Sequence, residues 1–434
     1  MRVFGCIPTI EWFLTFDFVN GYMVSTESSF LIFGSILIIG YLGELLSKRF
    51  AVPSALLLLL IGFSLRLSGY VDVSALVSIQ DLFGSLALIV LLFDGGLSLN
   101  LYEIVFKSGR VLSNAILTTI LGIAGCVLLF SLLGFNPIMG AILGAIAGGI
   151  GSTTTISITK GLSLPPQIKN FLTLESSMTD VFSIILALVL TQALISGAVD
   201  LQSIGQGILG KFTIGAFAGI FAGIASIMVL AKIEKGYNYM ITFALFLILF
   251  AITDFFGGSG AIAVLIFGVV FGNEAAIRKM FKLNHNGGRP LIKQFQSEIS
   301  FFIRTFFFVF LGVIVDLGSL TNFLIAFILL VMFYAIRYIS VYLSTFNSTM
   351  FDYRKILTAV NPRGLATAVL ATYPVIMLQN TIKLKPDDSL QQLLSQMIAL
   401  PEIAFYLIIL SIISTTILVP LVVRDGNKDK EEKE

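Results

Sequence analysis

The sequence predicts an all-α polytopic membrane protein of about thirteen transmembrane helices, arranged as two inverted six-helix repeats with broken helices in spans five and twelve. Three observations carry that prediction. Hydrophobic residues make up 57% of the 434 and charged residues 12%, about half the charged share of a soluble domain. The apolar residues lie in long unbroken runs. Two of those runs, seven apart in order, are interrupted at mid-length by residues that break helices. A formal net charge of +2, with most of the basic residues in short loops, gives no surface for nucleic acid.

A spanning helix needs about 20 mostly apolar residues. Runs of that kind occupy 29–47, 53–70, 81–100, 111–134, 136–158, 167–196, 204–231, 238–256, 258–274, 295–317, 320–345, 353–378 and 401–423. They are numbered one to thirteen below. Residues 29–423 thus form the transmembrane domain, residues 1–28 an extracellular or interfacial N-terminal segment, and residues 424–434, "RDGNKDKEEKE", a charged cytoplasmic tail. Glu11 and Asp17 interrupt the apolar core that a signal peptide needs. Cys6 and Cys126 are too few and too far apart for a disulfide frame or a metal site, and His285 stands alone in a polar loop. No cofactor is implied.

The basic residues orient the chain. Lys48, Arg49, Lys107, Arg110, Lys160, Lys169, Lys232, Lys235, Arg278, Lys279, Lys282, Arg289, Lys293, Arg354 and Lys355 all fall in connections on one side, together with Arg424, Lys428, Lys430 and Lys433 of the tail. The other side has Arg2, Arg66, Lys211, Lys383 and Lys385. The positive-inside rule therefore places the N-terminus outside and the C-terminus in the cytoplasm, as an odd number of spans also requires.

Span five reads "NPIMGAILGAIAGGIGSTTTISITK". Glycines and a Ser/Thr run at its centre weaken the helix and compete for backbone hydrogen bonds. In span twelve, "RKILTAVNPRGLATAVLATYPVIM", Pro362 removes a helix bond and Gly364 loosens the chain beside it. If spans one to six and eight to thirteen are repeats, both breaks fall at position five of their unit, and the odd offset inverts one unit against the other. That is the layout of many secondary transporters, whose site lies where broken helices expose helix ends and carbonyls at the midplane. Span seven differs. Its Gly215, Gly219 and Gly223 form a packing stripe that helix contact or dimerisation explains.

Six charges lie away from helix ends: Asp94, Glu175, Asp180, Arg304, Arg337 and Arg363. Each costs about 2.5–3.5 kcal/mol at bilayer depth on insertion scales. Glu175 and Asp180 are five residues apart on span six and so diverge by about 140°. Glu175 reads as a paired structural acid, with Arg363 at the span-twelve break as its natural partner. Asp180 lies over Ser176 and Ser177 and lacks an obvious partner, which marks an ion or proton pathway. One carboxylate that holds either a proton or a metal ion, never both, is the minimal device for exchange. Arg304 either neutralises the empty site or braces a helix. Arg337 braces span eleven or snorkels. Asp94, followed by two glycines, leans towards a structural partner for an arginine.

With these residues in view, the chain resembles the NhaP-type sodium/proton exchangers of the monovalent cation/proton antiporter superfamily. "ESSMTD" (175–180) matches the family's Glu-Ser-x-x-Asn-Asp with Thr179 in place of Asn. "NPRG" holds the family's Pro-Arg-Gly, "RTFFFVFLGV" its arginine-bearing tenth span, and "VPSALLLLLIG" and "FDGG" two early motifs. The resemblance implies an elevator-like homodimer, Asp180 as the alternately loaded carboxylate, Ser176 as a ligand and a Glu175–Arg363 structural pair. The chain departs where the family has Thr-Asp-Pro: "GIGSTTT" offers no acid, only carbonyls and the hydroxyls of Ser152, Thr153 and Thr154.

The reading is therefore a cation/proton antiporter of the cytoplasmic membrane, not an enzyme, electroneutral, with sodium as the default ion and potassium as the alternative. Its cation ligands are Asp180, Ser176, Thr179, Ser152 and Thr153. A channel, an intramembrane aspartyl protease and a cation-coupled solute symporter are the rivals. The protease needs two converging carboxylates, and Glu175 and Asp180 diverge.

Overall fold

The computed structural model describes residues 34–43, 45, 54–69, 73–99, 109–160, 162, 164–196, 201–230, 238–280, 289–315, 318–384 and 388–431. The N-terminal segment, Cys6 and His285 lie outside these residues. The side chains of the charged tail are likewise outside the description.

Each predicted run falls on helix. Among the described residues, eight helices are long and apolar enough to cross a membrane, and nine if the bent pair Gly260–Gly272 and Glu274–Met280 counts as one. Shorter apolar helices at Gly34–Gly43, Ser54–Ser68, Gly84–Ser98 and Met240–Phe255 occupy the remaining runs. The two suspect runs are each split. Span five is Pro137–Ala147 followed by Ser152–Lys160, and span twelve is Arg354–Ala359 followed by Leu365–Leu384. The first half of span five starts where the sequence asks it to: Pro137 sits at the first turn and Asn136 caps Ile138 N–H through its side chain.

The spans sort into two bundles. Spans four, five, six, eleven, twelve and thirteen pack on one another and form the crossover bundle. Spans two, three, seven, eight, nine and ten form a flanking bundle, which meets the first mainly through span three against spans six and twelve. The pairings correspond between halves of the chain. Span two packs on span ten as span nine packs on span three. Both seams are glycine contacts: a Cβ on Gly62 would lie 2.1 Å from the Val309 carbonyl oxygen, and one on Gly268 would lie 2.5 Å from that of Phe93. Both are capped alike. Arg66 Nη1 donates to the Val313 and Ile314 carbonyls at 3.2 and 2.7 Å, and Asn273 Nδ2 donates to the Leu99 carbonyl at 2.9 Å.

The span-seven stripe is a contact within the chain. Cβ atoms on Gly215 and Gly219 would lie 2.5 and 2.4 Å from the carbonyl oxygens of Ser259 and Ala263, so span seven packs on span nine. The opposite face of span seven carries Phe217 and Phe221, both more than 70% exposed.

Candidate ion-binding site

The two breaks cross back to back. A Cβ on Gly151 would lie 2.7 Å from Gly364 Cα, a distance that no side chain tolerates. Unwinding span five frees backbone groups that must find other partners in an apolar surrounding. They find them in order along the chain. The Gly149 carbonyl accepts from Arg363 Nη1 at 2.8 Å. Ile150 N–H donates to Thr179 Oγ1 at 3.3 Å and Gly151 N–H to the Pro362 carbonyl at 2.8 Å. Ser152 N–H donates to Asp180 Oδ2 at 3.3 Å. On the other chain segment, Asn361 N–H donates to Thr415 Oγ1 and Arg363 N–H to Ser411 Oγ at 3.3 and 2.9 Å.

Asp180 is half-buried, with the Ser152 hydroxyl beside its carboxylate and the start of the second half-helix of span five aimed at it. That end is electropositive and suits a carboxylate. Thr153, in the same turn, is also half-buried. Asp94 faces Asp180 from the flanking bundle, where Gly95 sits against Val181 and Ile184. Asp94 itself lies beside Arg304 and Ser300.

The two other predicted ligands are differently employed. Ser176 is fully buried, and its hydroxyl donates to the Thr173 carbonyl at 3.0 Å, as does that of Ser177. Thr179, also fully buried, holds the crossover: its hydroxyl accepts from Ile150 N–H and lies 3.2 Å from the Ser176 carbonyl.

Glu175 corrects an expectation. Its partner is Arg337 rather than Arg363. Arg337 Nη1 and Nη2 donate to the two carboxylate oxygens at 2.7 and 3.0 Å. Asn114 Nδ2 adds a third donor at 2.7 Å, and Ser344 Oγ donates to Asn114 Oδ1 at 3.1 Å. Arg337 Nε donates to the Leu357 carbonyl at 2.8 Å. Glu175, Arg337 and Asn114 are all 0% exposed, so the charge pair is sealed and its main hydrogen-bonding groups are satisfied, the condition for a buried pair to be tolerated. Arg363 Nη1 instead donates to the Gly149 carbonyl and, at 2.9 Å, to Asn361 Oδ1, and the guanidinium lies over the Phe333 ring at 4.6 Å. Sequence reasoning missed Asn114 and Asn361. A lone amide within an apolar run was the available signal for both.

A family profile described as "sodium/hydrogen exchanger, transmembrane" matches residues 34–424. The chain belongs to that family. Exchangers similar to it include the probable Na(+)/H(+) antiporter 2 of Methanocaldococcus jannaschii, 26% identical over 82% of this chain and 90% of the relative. The K(+)/H(+) antiporter NhaP2 of Shewanella sp. strain MR-4 is 25% identical over 81% of this chain and 61% of the relative. The K(+)/H(+) antiporter NhaP of Alkalimonas amylolytica is 24% identical over 63% of this chain and 48% of the relative. This exchanger thus spans roughly half to three-fifths of the length of the two potassium relatives. A solved structure of the sodium proton antiporter MjNhaP1 from M. jannaschii at pH 8 has the same fold, with a TM-score of 0.72 at 21% identity over 90% of this chain and 97% of that one. The chain is a multi-pass membrane protein of that family.

Proposed function

We propose that this exchanger swaps a monovalent cation for a proton at Asp180. The observation that carries the reading is a half-buried carboxylate held by one backbone N–H at the crossing of two broken helices, while the other acid of the same helix is sealed in an ion pair. Asp180 releases its proton and takes up a cation with the hydroxyls of Ser152 and Thr153. The crossover bundle then moves against the flanking bundle and carries the loaded site to the other face.

The ligand set is reduced from that expected. Thr179 and Ser176 position the crossover and the helix, and Asp180, Ser152 and Thr153 meet the ion. Because Arg337 neutralises Glu175, one negative charge is cycled, which favours one-for-one exchange. Steady charge movement during turnover would overturn that stoichiometry. Sodium is the first reading, on the family and the M. jannaschii relative. Potassium is the second, favoured by the two potassium relatives and by a site with one carboxylate and several hydroxyls.

The matched helix pairings support two repeats, inverted as the positive-inside rule requires, with the N-terminus outside and the C-terminus in the cytoplasm of a cell whose cytoplasmic membrane holds the protein. Residues 29–423 act as one transport domain between the N-terminal segment and the charged tail. The exposed aromatic face of span seven is the reading's dimer surface.

The test uses purified protein in liposomes loaded with a pH dye. Sodium, lithium and potassium are added in turn to wild type and to Asp180→Asn. Cation-driven proton movement that the variant lacks establishes antiport and names the ion. The apparent KM for the cation rises as the pH falls, because proton and cation compete for one carboxylate. Full activity in the variant sinks the reading and brings the symporter forward.

A further inference from the structure

Glycines close seams inside each bundle, and they behave differently at the seam between the bundles. In the flanking bundle a Cβ on Gly96 would lie 2.3 Å from the Leu265 carbonyl oxygen, and in the crossover bundle one on Gly140 would lie 2.6 Å from that of Cys126. Backbone there meets backbone, which holds the two helices in register. Span three meets the crossover bundle through two further glycines, Gly84 and Gly95. Eleven residues separate them, so they share one face of the helix about 16 Å apart along it. A Cβ on Gly84 would lie 3.0 Å from Ile376 Cδ1, and one on Gly95 would lie 3.8 Å from Ile184 Cδ1 and from Val181 Cγ2. Each glycine is a notch that receives the free end of an aliphatic side chain and no backbone atom.

These contacts lie on the side of Asp180 that the positive-inside rule places outside. Ile184 and Leu188 follow Asp180 by one and two turns of span six, and Ile376 lies in the second half of span twelve. All three are buried. Where Leu188 and Gln192 face Phe212 and Ser259, the remaining space is about 10 Å³, room for about one water at most and none for a hydrated ion. In the other direction along the same face, Ser177 and Thr173 are half-buried and Asn170 is exposed. The face is packed shut on one side of the site and loosens on the other. Helices in lipid gain little by hiding apolar surface from one another, so close packing holds such a seam. A methyl group lifted out of its notch forfeits its dispersion contacts but strands no polar group. That suits a contact broken at every turnover.

We propose that Ile376 seated on Gly84 is the latch of an outer gate: it holds the crossover bundle where Asp180 is closed from outside, and it lifts out whenever the site turns outward. The inference rests on the movement of the two bundles against each other described above. Ile376 is a positioning residue. It weights the two positions of the crossover bundle and takes no part in holding the ion.

Leu188→Cys reports on the gate. It is placed in the full-length protein in detergent, with Cys6 replaced by serine and the buried native Cys126 kept as an internal control. The rate of its reaction with a positively charged methanethiosulfonate is measured. With the latch intact the reporter should react slowly. Ile376→Ala, which empties the notch, should speed the reaction about fivefold or more by shifting the population of the two positions. Gly84→Val, which fills the notch, should act in the same direction. Combined, the two substitutions fit each other again and should bring the rate back close to that of the intact latch, a coupling that independent sites do not show. Cys126 should stay unreactive throughout. A fast reaction with the latch intact overturns the proposal, and so does an unchanged or lower rate with Ile376→Ala. A combined variant as fast as the faster single one also overturns it, as does a Cys126 whose reaction speeds up in step with the reporter. Thiol labelling needs no transport, so a failure of Asp180→Asn to abolish antiport would sink the ion site and leave the latch to be judged by these rates alone.

Discussion

Glu175 and Asp180 sit five residues apart on one helix, are chemically almost the same, and are held in opposite ways. Glu175 receives two N–H groups of Arg337 and one of Asn114, with no access to solvent. Asp180 is held by Ser152, through a long bond from its N–H and through its hydroxyl, and is partly exposed. An acid with both oxygens closed in by buried donors is badly placed to trade a proton for an ion, and an acid held on one side is better placed. The contrast teaches that function on this helix is assigned by what each carboxylate is left without, and that the sealed pair fixes the scaffold against which the open one works.

Four substitutions test that contrast, the largest effect first. Asp180→Asn should lower cation-driven proton flux roughly a hundredfold or more, since an intramembrane pathway acid has no neutral substitute, and should leave the unfolding temperature close to that of wild type. Glu175→Gln should do the reverse. It strands the Arg337 charge and should cost about 3–5 kcal/mol of stability, much of which returns when Arg337→Met is added; thermal unfolding in detergent reads both. If Glu175→Gln unfolds like wild type and only transport is lost, the roles of the two acids have been misassigned.

Gly151→Ala should disturb the open site alone. Its methyl group meets Gly364 Cα at 2.7 Å, an overpacking worth about 1–3 kcal/mol. Transport should fall because the two breaks separate, while a cross-link between cysteines placed on spans four and eleven, around the Glu175 cage, still forms at the wild-type rate. Thr179→Val is the finest probe. It orphans the Ile150 N–H, at a cost of about 1–3 kcal/mol. It should raise the apparent KM for the cation more than it lowers the maximal rate, because the ligand loop loosens while Asp180 remains. A change in maximal rate alone would make Thr179 part of the moving step and not of the site.

Much of this was legible beforehand. Apolar runs locate the helices because lipid admits only backbone that satisfies itself. The two breaks were readable for the converse reason: glycine, proline and clustered hydroxyls are the residues that unwind a helix where other groups can take its bonds. That Glu175 and Asp180 point to different partners was readable from their helical spacing. The hydrogen bonds of Ser176 and Thr179 were not legible, because spacing places a hydroxyl on a face and says nothing of which carbonyl or N–H competes for it. Ser176 turns back to Thr173, and Thr179 is claimed by the neighbouring break.

The sequence by itself thus determined the membrane class, the order of the helices, the places where two of them break, and the acid that stands apart. Tertiary structure alone decided which arginine neutralises Glu175. Arg337 is 162 positions away from it and Arg363 is 188, and both lie on spans able to reach span six. The choice rests on the positions of the two guanidinium groups. Those are set by how span eleven packs beside spans four and thirteen and by the glycine contact that locks the two breaks together. An ion pair in a low-dielectric interior is a matter of a few ångströms, and such distances exist only once the helices have met.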